Sequence, residues 1–166
     1  EYLKKMPTGE FKKHALEYVP DSIRTLPGFN EKRFDAILAI IGERMSTFKD
    51  IATMAEAGEI DYYFVMPEYP KEKLLWKEEI DYAKTKARLT HVINILETLE
   101  ETSFTAEKIK EALWDYATEE GRGTVLWPMR MALSGRDKSP DPFVLAEVLG
   151  KDETKQRLLQ AIEKCS

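Results

Sequence analysis

Residues 30–45, NEKRFDAILAIIGERM, decide the fold class of this protein. Asn30 is a favourable N-cap residue, because its side chain can accept a hydrogen bond from a free amide of the first helical turn. The apolar residues that follow recur at spacings of three and four: Phe34, Ile37, Leu38, Ile41 and Met45. This period puts them on one face of a helix, and the segment therefore predicts an amphipathic helix.

The same period occurs further along the chain. It predicts the longest helix over residues 80–99 and another over residues 106–119, which Thr105 caps and Gly121 ends. Shorter helices are predicted through residues 46–57, after Pro128, after Ser139-Pro140 and from Asp152. The fold class that follows is all-α.

Residues 62–67, YYFVMP, are the one stretch with strand-like composition. Pro67 and Pro70 close it, and the sequence offers no partner strand, so we interpret it as an extended connector. The long helix ends near Thr102, which predicts two helical subdomains, residues 1–102 and 103–166.

Composition limits the kind of protein further. With 166 residues and 43% apolar content, the chain can bury a hydrophobic core. One cysteine, Cys165, excludes an internal disulfide, and two histidines are too few for a zinc site. No apolar run is long enough to span a membrane, and the start, EYLKK, is neither an initiator methionine nor a signal peptide. We expect a cytoplasmic protein and interpret the sequence as a piece of a longer chain.

The net charge of −5 argues against a nucleic-acid-binding protein when it is taken alone. The acidic excess, however, lies in residues 56–120, which carry sixteen acidic against eight basic residues. Residues 121–139 are basic instead. They contain one acidic residue, Asp137, and four basic residues: Arg122, Arg130, Arg136 and Lys138. A local basic surface is therefore compatible with the acidic total, while the acidic residues are interpreted as solvated helix faces.

Residues for catalysis are not evident. The sequence has no Gly-rich phosphate loop and no nucleophile elbow, and His14 and His91 are far apart. We interpret both histidines as structural. Three tryptophans, Trp76, Trp114 and Trp127, are interpreted as core anchors, with stacking on a base as the alternative for Trp127.

Three segments carry a family resemblance. Residues 121–143, GRGTVLWPMRMALSGRDKSPDPF, followed by VLGKDE at 148–153, resemble the C-terminal region of bacterial glutamyl-tRNA synthetases. Residues 44–51, RMSTFKDI, together with Tyr63-Phe64 and Pro67-Glu68-Tyr69, resemble the family's first anticodon-binding subdomain. Residues 2–6, YLKKM, are similar to the segment beyond its catalytic body. The resemblance implies a helical anticodon-binding cage of two subdomains.

The resemblance also implies an RNA site. Arg130 resembles the family arginine that faces the anticodon. Ser139-Pro140 would start a helix whose free amides meet the RNA backbone beside Arg136 and Lys138. Arg44 matches the arginine with which glutamate-specific members inspect the third anticodon base. That base is C for glutamate and G for glutamine, and cytosine offers acceptors to an arginine where guanine presents N–H donors.

The two ATP signatures of the full enzyme are missing from this sequence, so the chain is expected to be non-catalytic by itself, with ATP and Mg²⁺ bound by a catalytic domain outside it. The implied partner is the anticodon loop of glutamate tRNA, bound by a monomer, with no membrane partner. Two alternatives stay open. One is a helical protein-interaction module, and the other is the same region of a non-discriminating enzyme that also charges glutamine tRNA.

Overall fold

The computed structural model describes residues 8–166, the side chain of Thr8 excepted, and the segment 2–6 lies outside these residues. The described part contains α-helices, short 3-10 turns and no strand, which confirms the all-α prediction. The helices are α1 (Thr8–Glu17), α2 (Asp21–Arg24), α3 (Glu31–Ile41), α4 (Asp50–Glu56), α5 (Tyr82–Glu97), α6 (Ala106–Glu120), α7 (Arg122–Ser134), α8 (Pro142–Leu149) and α9 (Lys151–Lys164).

The chain divides into two compact units, Glu1–Val65 and Met66–Ser166. In the first unit α3 starts as predicted, because the Asn30 side chain accepts a hydrogen bond from the Arg33 amide at 2.7 Å. Its apolar face is buried: Phe34, Ile37, Leu38 and Ile41 are each at most 4% exposed. The helix ends at Ile41, and after a 3-10 turn, Gly42–Arg44, the side chain of Met45 continues the same core.

The aromatic run at the end of the first unit is buried rather than spread along an extended segment. Asp61–Tyr63 form a 3-10 turn, and Tyr62, Tyr63 and Phe64 are at most 4% exposed. Gly28 lies directly against this turn, since a Cβ atom there would be 2.0 Å from the Phe64 carbonyl oxygen. The extended connector predicted over residues 62–67 is thus correct only for its end, where residues 66–70 have no regular structure.

In the second unit α5 is the longest helix of the described residues. It packs against α9, α7 and α6, all of which follow residue 102 in the chain. Helices on the two sides of the predicted boundary at 102–103 therefore pack against each other. The reason is that the apolar face of α5 is buried by helices that the sequence places after it.

Several predicted helix starts are wrong. Pro128 does not open a helix but lies inside α7, which begins at Arg122. Gly121 separates α6 from α7 through its backbone (φ 115°), a conformation that L side chains rarely adopt, so a proline is not needed to begin α7. The last helix starts at Lys151 after Gly150, with Asp152 in its first turn rather than at its cap. Two further errors, at Ser139-Pro140 and at Ser46-Thr47, are described with the candidate site.

Candidate nucleic-acid interface

Five of the six predicted site residues lie close together in sequence and structure. They occupy the last turn of α7 and the connection to α8, residues 130–141, which we call the arginine loop. The five are Arg130, Arg136, Lys138, Ser139 and Pro140. The sixth, Arg44, belongs to the first compact unit and is described separately.

Gly135 turns the chain at the start of the connection. Its φ of 69° is left-handed, and its amide donates to the Met131 carbonyl at 2.8 Å, which closes the C-terminus of α7. A Cβ atom at this position would lie 3.0 Å from the Pro67 side chain. The turn therefore requires glycine for both conformation and space, and it sets the direction in which the arginine loop leaves α7.

The side chain of Arg130 reaches from α7 to the backbone of the connection that follows. Its guanidinium donates from Nη1 to the Asp137 carbonyl at 3.2 Å, and the side chain is half-buried. Arg136 is half-buried as well, and its backbone amide donates to the Ser134 hydroxyl at 3.0 Å. These contacts hold the two arginines in one compact turn.

Lys138 is exposed and makes no hydrogen bond or ion pair with any other described residue. An exposed ammonium group of this kind is suited to a phosphate contact. Ser139 beside it donates from its hydroxyl to the Pro140 carbonyl at 3.0 Å, and both residues are half-buried. The outer part of the arginine loop thus combines one exposed cation with a compact Ser-Pro turn.

The helix after the arginine loop begins two residues later than predicted, at Pro142. Asp141 is its N-cap, and its Oδ1 accepts hydrogen bonds from the amides of Phe143 and Val144, both at 2.9 Å. A carboxylate therefore already occupies the helix N-terminus and repels a phosphate there. The sequence signal was present, since Asp141-Pro142 combines a preferred cap residue with proline at the first helical position.

The sequence pattern does not single out two buried polar residues at this site, one within the arginine loop and one on α9. The hydroxyl of Ser134, a residue that is 0% exposed, lies 3.0 Å from the carbonyls of both Arg130 and Arg136 and donates its one hydrogen to either of them. Arg157, also 0% exposed, donates from Nη1 to the Leu133 carbonyl at 2.6 Å and from Nη2 to Glu153 at 2.7 Å. The spacing of Glu153 and Arg157 on α9 was the available signal, but the sequence does not show that the arginine faces inward.

The tryptophans near this site are structural. The Trp127 indole donates to the Lys73 carbonyl at 2.8 Å, and its ring centroid lies 5.2 Å from that of Trp76. Gly123 lies directly against Trp76, since a Cβ atom there would be 2.0 Å from the indole nitrogen. Trp76, Trp114 and Trp127 are all half-buried, so the prediction that they are core anchors is only partly correct, and base stacking by Trp127 stays an untested alternative.

Arg44 ends the 3-10 turn after α3 and is exposed. Its Nη2 lies 2.6 Å from Glu59 Oε1, and the two side chains are 54% and 33% exposed. Burial raises the pKa of the neighbouring Tyr63 well above its usual range, and the positive charge of Arg44 opposes that shift. An ion pair on the surface therefore orients the guanidinium of Arg44, without a buried contact to fix it.

Asp50 holds the segment that follows Arg44. Its Oδ2 accepts hydrogen bonds from the amides of Ser46 and Thr47, at 2.7 and 3.1 Å, and these contacts lower the pKa of the carboxyl group. The prediction that Ser46 and Thr47 begin a helix is wrong in this detail. The helix α4 starts at Asp50, and its carboxylate reaches back to organise the turn before it.

Other chemistry is not supported by the described residues. In residues 8–166 no group of three or more His, Cys, Asp or Glu side chains is placed to hold a metal ion. None of the helices described is both long and apolar enough to cross a membrane. His14 contacts Glu10 and Glu17 on α1, and the His91 ring stacks on Tyr116 at 4.0 Å, as structural side chains do.

Comparison with known proteins links this geometry to a family. A family model described as an anticodon binding domain matches residues 10–162. Glutamate–tRNA ligases of Clostridium kluyveri and Clostridium acetobutylicum are 32% and 30% identical over 99% of this chain. The chain spans about a third of the length of these curated relatives, 32% of each.

Solved structures agree with the sequence matches. The glutamate tRNA ligase of Elizabethkingia meningosepticum, in complex with its amino acid, superposes with a TM-score of 0.74 and 25% identity, over 99% of this chain and 31% of that protein. The glutamate–tRNA synthetase of Elizabethkingia anophelis gives a TM-score of 0.68 at 25% identity. Since the family match covers most of the chain and these structures share its fold, the chain belongs to the anticodon-binding domain family.

Proposed function

We propose that this chain is the anticodon-binding part of a glutamate–tRNA ligase and that it binds the anticodon loop of glutamate tRNA. The observation that carries the proposal is the arginine loop, which brings Arg130, Arg136 and Lys138 together within a chain that matches the anticodon-binding family. Single-stranded RNA loops are recognised by planar side chains that contact unstacked bases and by cations that hold phosphates, and the arginine loop supplies both.

Each residue of the arginine loop has a distinct role in this proposal. The guanidinium groups of Arg130 and Arg136 stack on bases and donate to base edges, because they are planar and carry several donors. Lys138 contacts a phosphate. Ser139 and Pro140 line the site through the exposed part of their compact turn, while the amides of α8 take no part because Asp141 occupies them.

Arg44 supplies specificity for the third anticodon base. The guanidinium donates to the acceptors of cytosine and meets N–H donors when guanine replaces it. Glu59 holds the guanidinium at 2.6 Å in the free protein, so that Arg44 is oriented before RNA binds. This role makes the parent enzyme discriminating, and a parent that charges glutamine tRNA as well is the competing outcome.

The parent enzyme in this proposal joins glutamate to its tRNA in the cytoplasm and acts as a monomer. In this proposal the ATP and Mg²⁺ of that reaction are bound by a catalytic domain outside this chain. Sedimentation of the 166-residue chain, with and without RNA, tests the monomeric state.

Binding to RNA tests the proposal directly. The 166-residue chain is titrated with full glutamate tRNA and with the same transcript carrying a scrambled anticodon, each at about 50 and 200 mM salt. We expect weaker binding of the scrambled transcript and an affinity for both that falls with salt, because phosphate contacts release counterions. Equal affinity for both transcripts, or an affinity independent of salt, would contradict RNA recognition and favour a helical protein-interaction module.

The competing non-discriminating function has its own test. The complete parent enzyme is supplied with glutamate and either glutamate tRNA or glutamine tRNA. We expect charging of glutamate tRNA alone. Charging of both would leave the anticodon-binding role intact but would overturn the role of Arg44.

A further inference from the structure

We propose that Ser134 is a positioning residue for the RNA site, which fixes Arg130 and Arg136 relative to each other through a single buried hydroxyl. The inference rests on the proposed function, since it concerns how the arginine loop is held ready for RNA. It assigns a role to a side chain that lies under the site and has no surface of its own, because Ser134 is 0% exposed.

The geometry of the hydroxyl carries the first step. Oγ lies 3.0 Å from the Arg130 carbonyl, 3.0 Å from the Arg136 carbonyl and 3.0 Å from the Arg136 amide. A hydroxyl has one hydrogen to donate and two lone pairs to accept, so it serves both carbonyls in turn while it accepts from the amide. One side chain thus connects the backbones of the two arginines proposed to contact RNA.

The position of Ser134 explains why this connection is needed. Ser134 is the last residue of α7, where helix carbonyls have no partner within the helix. The chain then reverses at Gly135 in a left-handed conformation, so the backbone of Arg136 no longer follows the helix. Without the hydroxyl, the Arg136 amide and carbonyl would lose this buried partner at the point where the arginine loop leaves α7.

A second buried contact fixes the residue before it. The Leu133 carbonyl accepts from Arg157 Nη1 at 2.6 Å, and this arginine is held in turn by Glu153. The helix end that presents Ser134 is therefore anchored to α9. Because the end of α7 is held in this way, the Ser134 hydroxyl has a fixed position and can determine the conformation of the loop that follows.

The surface contacts of the same loop are weaker. Arg130 Nη1 reaches the Asp137 carbonyl at 3.2 Å, and Arg136 Nη1 reaches the Gly135 carbonyl at 3.4 Å. Both involve the guanidinium groups that RNA would engage, so RNA binding changes them. The Ser134 contacts use only backbone atoms of the two arginines, and they persist when the guanidinium groups turn to a base.

The test compares Ser134→Thr with Ser134→Val. The two variants add nearly the same volume at the buried position and differ in the hydroxyl alone, so any strain from the added methyl group cancels between them. Both are measured for affinity to the anticodon stem-loop of glutamate tRNA, at a temperature where circular dichroism shows that each variant is folded. We expect the valine variant to bind about 3- to 10-fold more weakly than the threonine variant, because the arginine loop would no longer be held in place before RNA binds and would have to be ordered on binding.

A double-mutant comparison separates positioning from general stability. The same pair of variants is made in a background that carries Arg130→Ala and Arg136→Ala. We expect the difference in affinity between threonine and valine to disappear there, while the difference in thermal stability remains. A difference in affinity that persists without the arginines would overturn the positioning role.

Hydrogen exchange of the Arg136 amide in the free protein gives an independent readout. We expect faster exchange in the valine variant than in the threonine variant, because the acceptor of this amide is lost. Equal exchange or equal affinity in the two variants would overturn the inference while leaving the proposed function intact. If the two arginine substitutions alone leave RNA affinity unchanged, the proposed function of the arginine loop fails, and the positioning role fails with it.

Discussion

The two arginine sites of this protein are built in opposite ways. Arg44 stands on the surface of the first unit, oriented by an ion pair with Glu59 in which both side chains are at least one-third exposed. The arginine loop of the second unit rests on Ser134 and Arg157, both 0% exposed. A buried network fixes a loop regardless of salt, whereas an exposed ion pair is screened and contributes little to stability. The comparison indicates that one site is positioned by the fold and the other by local electrostatics.

The largest expected effect is on stability, from Arg157→Ala. The substitution removes a large buried side chain and leaves the Leu133 carbonyl without its donor, so we expect a loss of about 2–5 kcal/mol in the free energy of unfolding. Chemical denaturation measures this loss. Arg157→Met keeps most of the volume and loses the donors, and it separates the two contributions.

Arg44→Ala is the matched control for that experiment, because it also removes an arginine that forms an ion pair with a glutamate. An exposed ion pair contributes about 0–1 kcal/mol, so the control is expected to unfold near the wild-type midpoint. Similar destabilisation by Arg44→Ala and Arg157→Ala would contradict the distinction between the two sites.

The second expected effect is on specificity. Here the substitution of Arg44, which is expected to change stability little, has the larger effect. Arg44→Ala should reduce the preference for C over G at the third anticodon position by on the order of 1–3 kcal/mol, because the base loses its only proposed donor. Competition between two stem-loops that differ at that base measures the preference. Arg130→Ala serves as a control that weakens both stem-loops equally. A preference that survives Arg44→Ala would remove the role proposed for Arg44.

The sequence predicted some parts of this architecture better than others, for physical reasons. Asn30 and Thr105 were identified as caps because a helix cap depends on a few neighbouring residues, and the structure confirms both. Pro128 was misplaced because proline is tolerated inside α7, a choice decided by packing rather than by local preference.

The candidate site shows the same limit. The positions of the cations in residues 130–138 are visible in the sequence, because charge is a local property. The inward direction of Ser134 and Arg157 is not, since it depends on how α7 and α9 pack against each other. The subdomain boundary at 102–103 stays a prediction for the same reason, since a helix end does not reveal which helices cover its apolar face.

A smaller effect is expected from Lys138→Ala. Lys138 is exposed and has no partner among the described residues, so its removal should leave stability unchanged and weaken all RNA sequences alike. The slope of log affinity against log salt should fall by about 1, the value for one phosphate contact. Lys155→Ala is the control, because this lysine lies outside residues 130–141 and forms an ion pair with Glu97 at 2.7 Å. An equal change of slope in both variants would show a general effect of net charge.

The smallest effect is a local response to acid. It distinguishes the turn after Arg44, which a carboxylate holds, from the arginine loop, which a hydroxyl holds. The amides of Ser46 and Thr47 keep the pKa of Asp50 below its ordinary value of 3.8. A carboxyl group with a lowered pKa in the folded state stabilises the fold above its unfolded pKa, and that contribution is lost as the pH falls through the folded value. We therefore expect the two amides to exchange faster and to shift in NMR spectra only when the pH falls below 3.8 and through the lowered pKa of folded Asp50.

The Arg136 amide provides the internal reference for this titration, because its acceptor is the Ser134 hydroxyl, which does not titrate in this range. The Asp50→Asn variant should abolish the pH step at Ser46 and Thr47 and leave Arg136 unchanged. If the three amides respond together in the wild-type chain, the acid transition is global unfolding, and the segment after Arg44 is not held separately. A response confined to Ser46 and Thr47 would instead establish that acid loosens the turn after Arg44, which Asp50 holds, while the buried hydroxyl of Ser134 keeps the arginine loop in place.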